Sequence, residues 1–173
     1  MLFSRKGLYP YPISAKEVYL TYRLQGGLPN PDSMIQALEN WAKDWERHGA
    51  KISGFQLDFD SPTSGLLRYG DYLKQVRDKL SPKYKLSITG LGDWVLSGDQ
   101  EALQSIATTV DEIIFQLYQG RKPFTNIDTY IEKFGQLQVE FKVGFLGSSD
   151  YQKSVAKLRK NKYFKGAVLF IQK

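Results

Sequence analysis

The chain has no cysteine and a single histidine, His48. The first absence excludes a disulfide framework, a thiolate metal site and a cysteine nucleophile, and it leaves the redox compartment open. The second argues against a Ser-His-Asp triad, because His48 falls at the end of a helical segment, where a cation suits the helix dipole. No apolar run approaches the roughly 18 residues of a membrane span. Residues Met1 to Gly7 lack the apolar stretch of a signal peptide. The residues present are those of a soluble chain, and an export signal on a longer precursor would lie outside them, so localisation stays open. No glycine loop is suited to cradling phosphate. Gly90-Leu91-Gly92 lacks the third glycine and the strand-to-helix placement of a dinucleotide fingerprint, and no cofactor is expected.

Acidic residues are also outnumbered, with 18 Asp and Glu against 24 Lys and Arg, for a net charge of +6. Such a surplus raises the question of nucleic acid. The densest basic cluster, Lys153, Lys157, Arg159, Lys160, Lys162 and Lys165, reads mostly as the exposed face of a helix whose apolar side is Val155, Ala156 and Leu158. No nucleic-acid motif accompanies it, so a solvated surface is expected and no nucleic-acid partner.

What the chain does have is hydrophobic and aromatic content, 42% and 14% over 173 residues, enough for one sizeable core and too short for two domains. Residues 1–16 contain Tyr9-Pro10-Tyr11-Pro12 and read as an irregular lead-in. Six segments then read as strands: Val18–Leu24, a stretch beginning at Ile52, Lys85–Leu91, Glu112–Tyr118, Glu140–Leu146 and Gly166–Ile171. Helical spacing fills the intervals, as in Met34, Leu38, Trp41 and Trp45, or Leu66, Tyr69, Leu73, Val76 and Leu80. Strands and helices alternate at a spacing of roughly 30 residues, the repeat of a parallel α/β sheet.

The most informative stretch is Ile52-Ser53-Gly54-Phe55-Gln56-Leu57-Asp58-Phe59-Asp60-Ser61-Pro62. Phe55, Leu57 and Phe59 fall on one face, and Gln56, Asp58 and Asp60 on the other. In a (β/α) barrel the apolar face packs on helices, while the polar face points into the lumen and opens, at the carboxyl ends of the strands, into a cleft. The expected fold is therefore TIM-barrel-like. An eight-stranded barrel needs about 250 residues, and the shortfall equals about two βα units. An open arc would expose edges at Val18–Leu24 and Gly166–Ile171, to be covered by further N-terminal residues, by a second copy in a homo-oligomer, or by a different sheet order.

Gln56-Leu57-Asp58-Phe59-Asp60-Ser61-Pro62-Thr63-Ser64-Gly65-Leu66 with Tyr69, Leu86-Ser87-Ile88-Thr89-Gly90-Leu91, and Asp93-Trp94 together resemble a bacterial family of unknown function that is predicted to adopt a glycoside-hydrolase-like (β/α)8 barrel. The resemblance spans nearly the whole chain and would place it on strands three to eight. More distantly, the acidic strand is similar to the Asp-rich strand of chitinase-like barrels. That strand ends in Glu, whereas here Asp60 is followed by Ser61, so the usual proton donor has no direct counterpart.

Carboxylates at i and i+2 of a strand have Cα atoms roughly 6.5 Å apart, close enough that one is favoured to keep its proton. A carboxylic acid of that kind can protonate a glycosidic oxygen. Asp60, nearer the mouth, is the expected acid, Asp58 the deeper group that tunes it, and Asp93 the best partner carboxylate. Gln56 and Thr89 are expected to hydrogen-bond the pair and Arg23 to salt-bridge it. Trp94 and Tyr118 lie where a sugar could be bound, Trp94 offering a flat face to a pyranose, although aromatics fill cores as readily. Asp58 and Asp60 are hard oxygen ligands, but two carboxylates without further clustered acids are a weak metal signal, and no metal is expected. The expected partner is a carbohydrate, hydrolysed or simply held; the remaining alternative is a partial barrel that is inactive alone and has a structural role.

Overall fold

The computed structural model describes residues 17–147 and 151–171. The lead-in expected over 1–16 and most of the Gly147–Asp150 turn lie outside the described residues. Six strands form one parallel sheet: β1 (Val18–Arg23), β2 (Ile52–Asp58), β3 (Lys85–Leu91), β4 (Glu112–Gln116), β7 (Phe141–Leu146) and β8 (Phe164–Phe170). They lie in chain order across the sheet. Between them run helices α1 (Pro31–Arg47), α2 (Leu66–Lys79), α3 (Asp93–Ser97), α4 (Gln100–Thr109), α5 (Ile127–Phe134) and α6 (Gln152–Leu158). A two-stranded hairpin, β5 (Tyr118–Gln119) with β6 (Lys122–Pro123), follows β4.

Sequential strand order fixes the layering. Parallel neighbours are joined by right-handed crossovers, so a sheet that always steps in one direction carries all its helices on one face. Accordingly α1 packs on α2, α2 on α4 and α5 on α6. The helix-side strand residues are apolar and buried: Leu20 and Tyr22 on β1, Phe55 and Leu57 on β2, Leu86 and Ile88 on β3, Ile113 and Phe115 on β4, and Phe141, Val143 and Phe145 on β7. The alternate residues line the opposite, open face.

Local signals set the helix ends. The Asn30 side chain accepts hydrogen bonds from the Asp32 and Ser33 amides at 2.9 and 3.2 Å, with Pro31 at the first helical position of α1. Gly49, at φ 84°, follows the His48 C-cap, a left-handed conformation that glycine adopts without penalty. Asp99 caps α4 through the Ala102 amide at 3.0 Å.

β1 and β8 each pair on one side only, so among the described residues the sheet does not close into a barrel. The far end is open to solvent as well, with Leu169 41% and Ile171 84% exposed at the carboxyl end of β8. Several boundaries differ from the sequence reading, β8 for instance running from Phe164 to Phe170 instead of Gly166 to Ile171. The fourth strand ends at Gln116 and not Tyr118, because the Leu117 carbonyl accepts from the Phe124 amide at 3.1 Å and Tyr118 turns into the hairpin. Asp93 and Trp94 open the short helix α3 directly after β3.

Candidate active site at the strand ends

Parallel register carries side chains across the open face in rows. In one row Thr21, Gln56, Ser87 and Glu112 are direct neighbours. They form a polar chain: Thr21 Oγ1 donates to Gln56 Oε1 at 3.4 Å, Gln56 Nε2 to Ser87 Oγ at 3.1 Å, and Ser87 Oγ to Glu112 Oε1 at 3.1 Å. Lys142 closes the chain by ion-pairing Glu112. Gln56 and Ser87 are buried here, so their polar atoms need these partners, and Gln56 supports the sheet one row below the carboxylates instead of bonding them.

One row nearer the carboxyl ends stand Arg23, Asp58 and Thr89. Thr89 Oγ1 donates to Asp58 Oδ1 at 2.7 Å, and Arg23 Nη1 donates to the same oxygen at 2.8 Å. Asp60 lies just beyond the strand. It receives Arg23 Nη1 at 3.2 Å on Oδ1 and is ion-paired through Nη2 to Oδ2. One guanidinium therefore spans both carboxylates, the fork geometry that suits arginine to this task. Asp58 is the more enclosed, its side chain 19% exposed against 46% for Asp60. Partial burial works against the Arg23 charge, but its hydrogen bonds to Asp58 and Asp60 and then their charges outweigh it and hold the guanidinium more firmly protonated.

Tyr118 borders this cluster. Burial pushes its phenol well above the usual range. The charge of Asp58 adds to the effect, Arg23 opposes it and Asp60 adds again. Its ring packs on Phe170 with centroids 5.3 Å apart. Phe170 escapes a sequence reading because β8 gives no polar signal at that end, although a glycine inside β7, Gly144, was an available hint.

Trp94 is placed differently from the sequence expectation, and Asp93 has a hydrogen-bond partner of its own. Trp94 is completely buried and has no face to offer a sugar. Its indole seats over Gly90, where an added Cβ would come within 2.9 Å of the ring, and packs edge-on against Tyr69 and Phe115. Trp94 Nε1 donates to the Ser61 carbonyl at 2.8 Å. The residue is thus a clamp on the segment that carries Asp60, anchored from the helix side. Asp93 is engaged by Tyr130 Oη at 3.0 Å and, among the described residues, shares no hydrogen bond with Asp58 or Asp60. Burial first, then the Asp93 hydrogen bond and charge, push the Tyr130 phenol up to about 12.

Behind the cluster, Tyr69 Oη and Tyr72 Oη are buried with no hydrogen-bond partner among the described residues. Burial, then Tyr72 and then Asp58, push the Tyr69 phenol far upward, so it remains neutral. Among the described residues no group of three or more histidines or acids is arranged to hold a metal ion, and no helix is long and apolar enough to cross a membrane.

A comparison with curated proteins finds no match. A family model for a domain of unknown function, DUF3142, matches residues 14–130, more than half of the chain. That span holds Arg23, Asp58, Asp60, Thr89, Trp94 and Tyr118, and ends inside α5. The chain belongs to the DUF3142 family.

Proposed function

We propose that this protein is a carbohydrate-directed, glycoside-hydrolase-like domain whose open sheet face is an arc of a (β/α) barrel. The observation that carries the reading is the Thr89–Asp58–Arg23–Asp60 network at the carboxyl ends of adjacent parallel strands. That end of barrel strands is where side chains serve ligands and chemistry, whereas the opposite end serves stability. Carboxylates and a guanidinium side by side offer acceptors and donors to the hydroxyls of a sugar. Asp60, the more exposed of the pair, is the group in position to deliver a proton to a glycosidic oxygen, with Asp58 held in place by Thr89 and Arg23. The sides of β1 and β8 that pair with no strand among the described residues, and the exposed Leu169 and Ile171, support completion of the barrel by further strands or by a second copy.

A second reading is favoured by one feature. Arg23 occupies both carboxylates, and a paired carboxylate accepts hydrogen bonds and does not donate them. The site would then hold sugar without cleaving it. Release of reducing ends from a panel of polysaccharides by the wild type and by D60N separates the two. Catalysis requires release that D60N abolishes while affinity persists. Binding alone requires affinity without release in either protein. A panel that is neither bound nor cleaved overturns both.

A further inference from the structure

We infer that Tyr118 and Phe170 form the wall on which a pyranose ring of the ligand stacks. The inference rests on the carbohydrate reading above and deepens it. Trp94, the aromatic that the sequence offers for this task, is sealed inside the core. Any apolar contact to a sugar must come from elsewhere on the open face.

Phe170 sits at the carboxyl end of β8, paired in register with Leu146, at the same end of the sheet as Asp58 and Asp60. Alternation along β8 puts Val168 and Phe170 on the open face, while Leu169 points to the opposite side. The ring leans along the sheet over Gly144. A Cβ at that position would come within 2.6 Å of Phe170 Cε2 and 3.4 Å of Ile114 Cγ2. Glycine inside a strand gives up packing and costs chain entropy, and a close approach from above is one of the few reasons to place it there. Tyr118 then meets Phe170 at 5.3 Å with the ring planes 56° apart, which makes a corner and not a flat stack. Both side chains are only half-buried, so the corner has faces left to offer.

The corner adjoins the charged network, because the Tyr118 phenol feels Asp58, Arg23 and Asp60. Polar groups on one side and aromatic faces on the other match the two sides of a pyranose chair, whose hydroxyls project at its edge and whose C–H bonds line its face. A furanose, which lacks that flat C–H face, fits the corner less well. The ligand class is therefore a pyranose oligomer.

The test is calorimetric titration of the full chain with cellohexaose, chitohexaose and xylohexaose, and with an inulin-type fructofuranose oligomer as control. Phe170→Leu keeps apolar volume in the fold but removes the flat ring, and Tyr118→Leu does the same beside it. Each is expected to weaken binding of the preferred pyranose oligomer about tenfold or more, and Phe170→Trp to restore it. Gly144→Ala, which pushes the Phe170 ring aside, is expected to weaken binding with the chain still folded by circular dichroism. Wild-type binding that Phe170→Leu and Tyr118→Leu leave unchanged overturns the stacking corner alone. Preference for the furanose oligomer does so too. A wild-type chain that binds none of the four overturns the carbohydrate reading beneath it.

Discussion

Arg23 reaches across from β1 to place Nη1 2.8 Å from Asp58 Oδ1 on β2, and the same guanidinium continues outward to Asp60. Strand pairing makes the contact: Arg23 and Asp58 are register partners, so their side chains leave the sheet side by side. Replacing Arg23 with Gln leaves two carboxylates facing each other without a counter-charge. The expected cost is about 1 kcal/mol in urea denaturation, held to that size because the arginine is 45% exposed to screening solvent. The double variant R23Q/D60N should regain part of that loss, since it removes the repulsion as well. Additive losses would show that Arg23 acts on stability through some other contact.

Trp94 is expected to matter for stability and for the placement of Asp60, not for touching ligand. W94F removes the 2.8 Å bond to the Ser61 carbonyl and part of a fully buried side chain, a loss of about 2 kcal/mol. The amide resonances of Asp60 and Ser61 should move in the same variant. Unchanged stability together with abolished sugar affinity would contradict this placement.

These two residues mark what the sequence could and could not disclose. Alternation in Phe55-Gln56-Leu57-Asp58-Phe59-Asp60 predicts which face each side chain takes, because a strand has no other period available. The βα alternation predicts parallel strands, and the sheet is parallel throughout in chain order. Arg23 was legible as the salt-bridge partner because its own strand alternates in phase. Trp94 was not, because burial is decided by where the following residues go. Asp93 begins a helix that turns the indole under the sheet, and Gly90 leaves room for it. The same limit hides Phe170, whose neighbour Tyr118 lies more than 50 residues away in the chain. The turn of the chain at Leu117, which takes Tyr118 out of the strand, is closed by a hydrogen bond from the Phe124 amide to the Leu117 carbonyl that no local pattern announces.

Tyr69 offers a test of the buried polar atoms. Its hydroxyl is enclosed without a hydrogen-bond partner among the described residues, so removing it takes away a desolvation cost and no bond seen there. Y69F is expected to leave stability unchanged or raise it by up to about 1 kcal/mol. A loss of that size instead would reveal a bond that the fold conceals.

Tyr130 gives a pH dependence with a definite sign. Its folded-state value is raised from the ordinary 10.0 to about 12, so the folded chain holds the phenolic proton more tightly than the unfolded chain does. The stabilisation is fully present below pH 10 and is lost as pH rises through about 12. Carbon-13 tyrosine resonances should show one titration near that upper value, absent in Y130F and moved partway back toward 10.0 in D93N, since burial remains when the carboxylate is gone. A Tyr130 midpoint at 10.0 in the wild type would contradict the Asp93 contact.

The most direct test of a carbohydrate site at the strand ends is a two-dimensional amide and arginine side-chain resonance titration of the wild-type chain with a pyranose oligomer. The account predicts saturable shifts concentrated at Arg23 Nε, Asp58, Asp60, Thr89 and Tyr118, with the helix-side residues of α1 and α4 unmoved. Saturable shifts centred on the helical layer, or a spectrum that stays still with every oligomer, would contradict it.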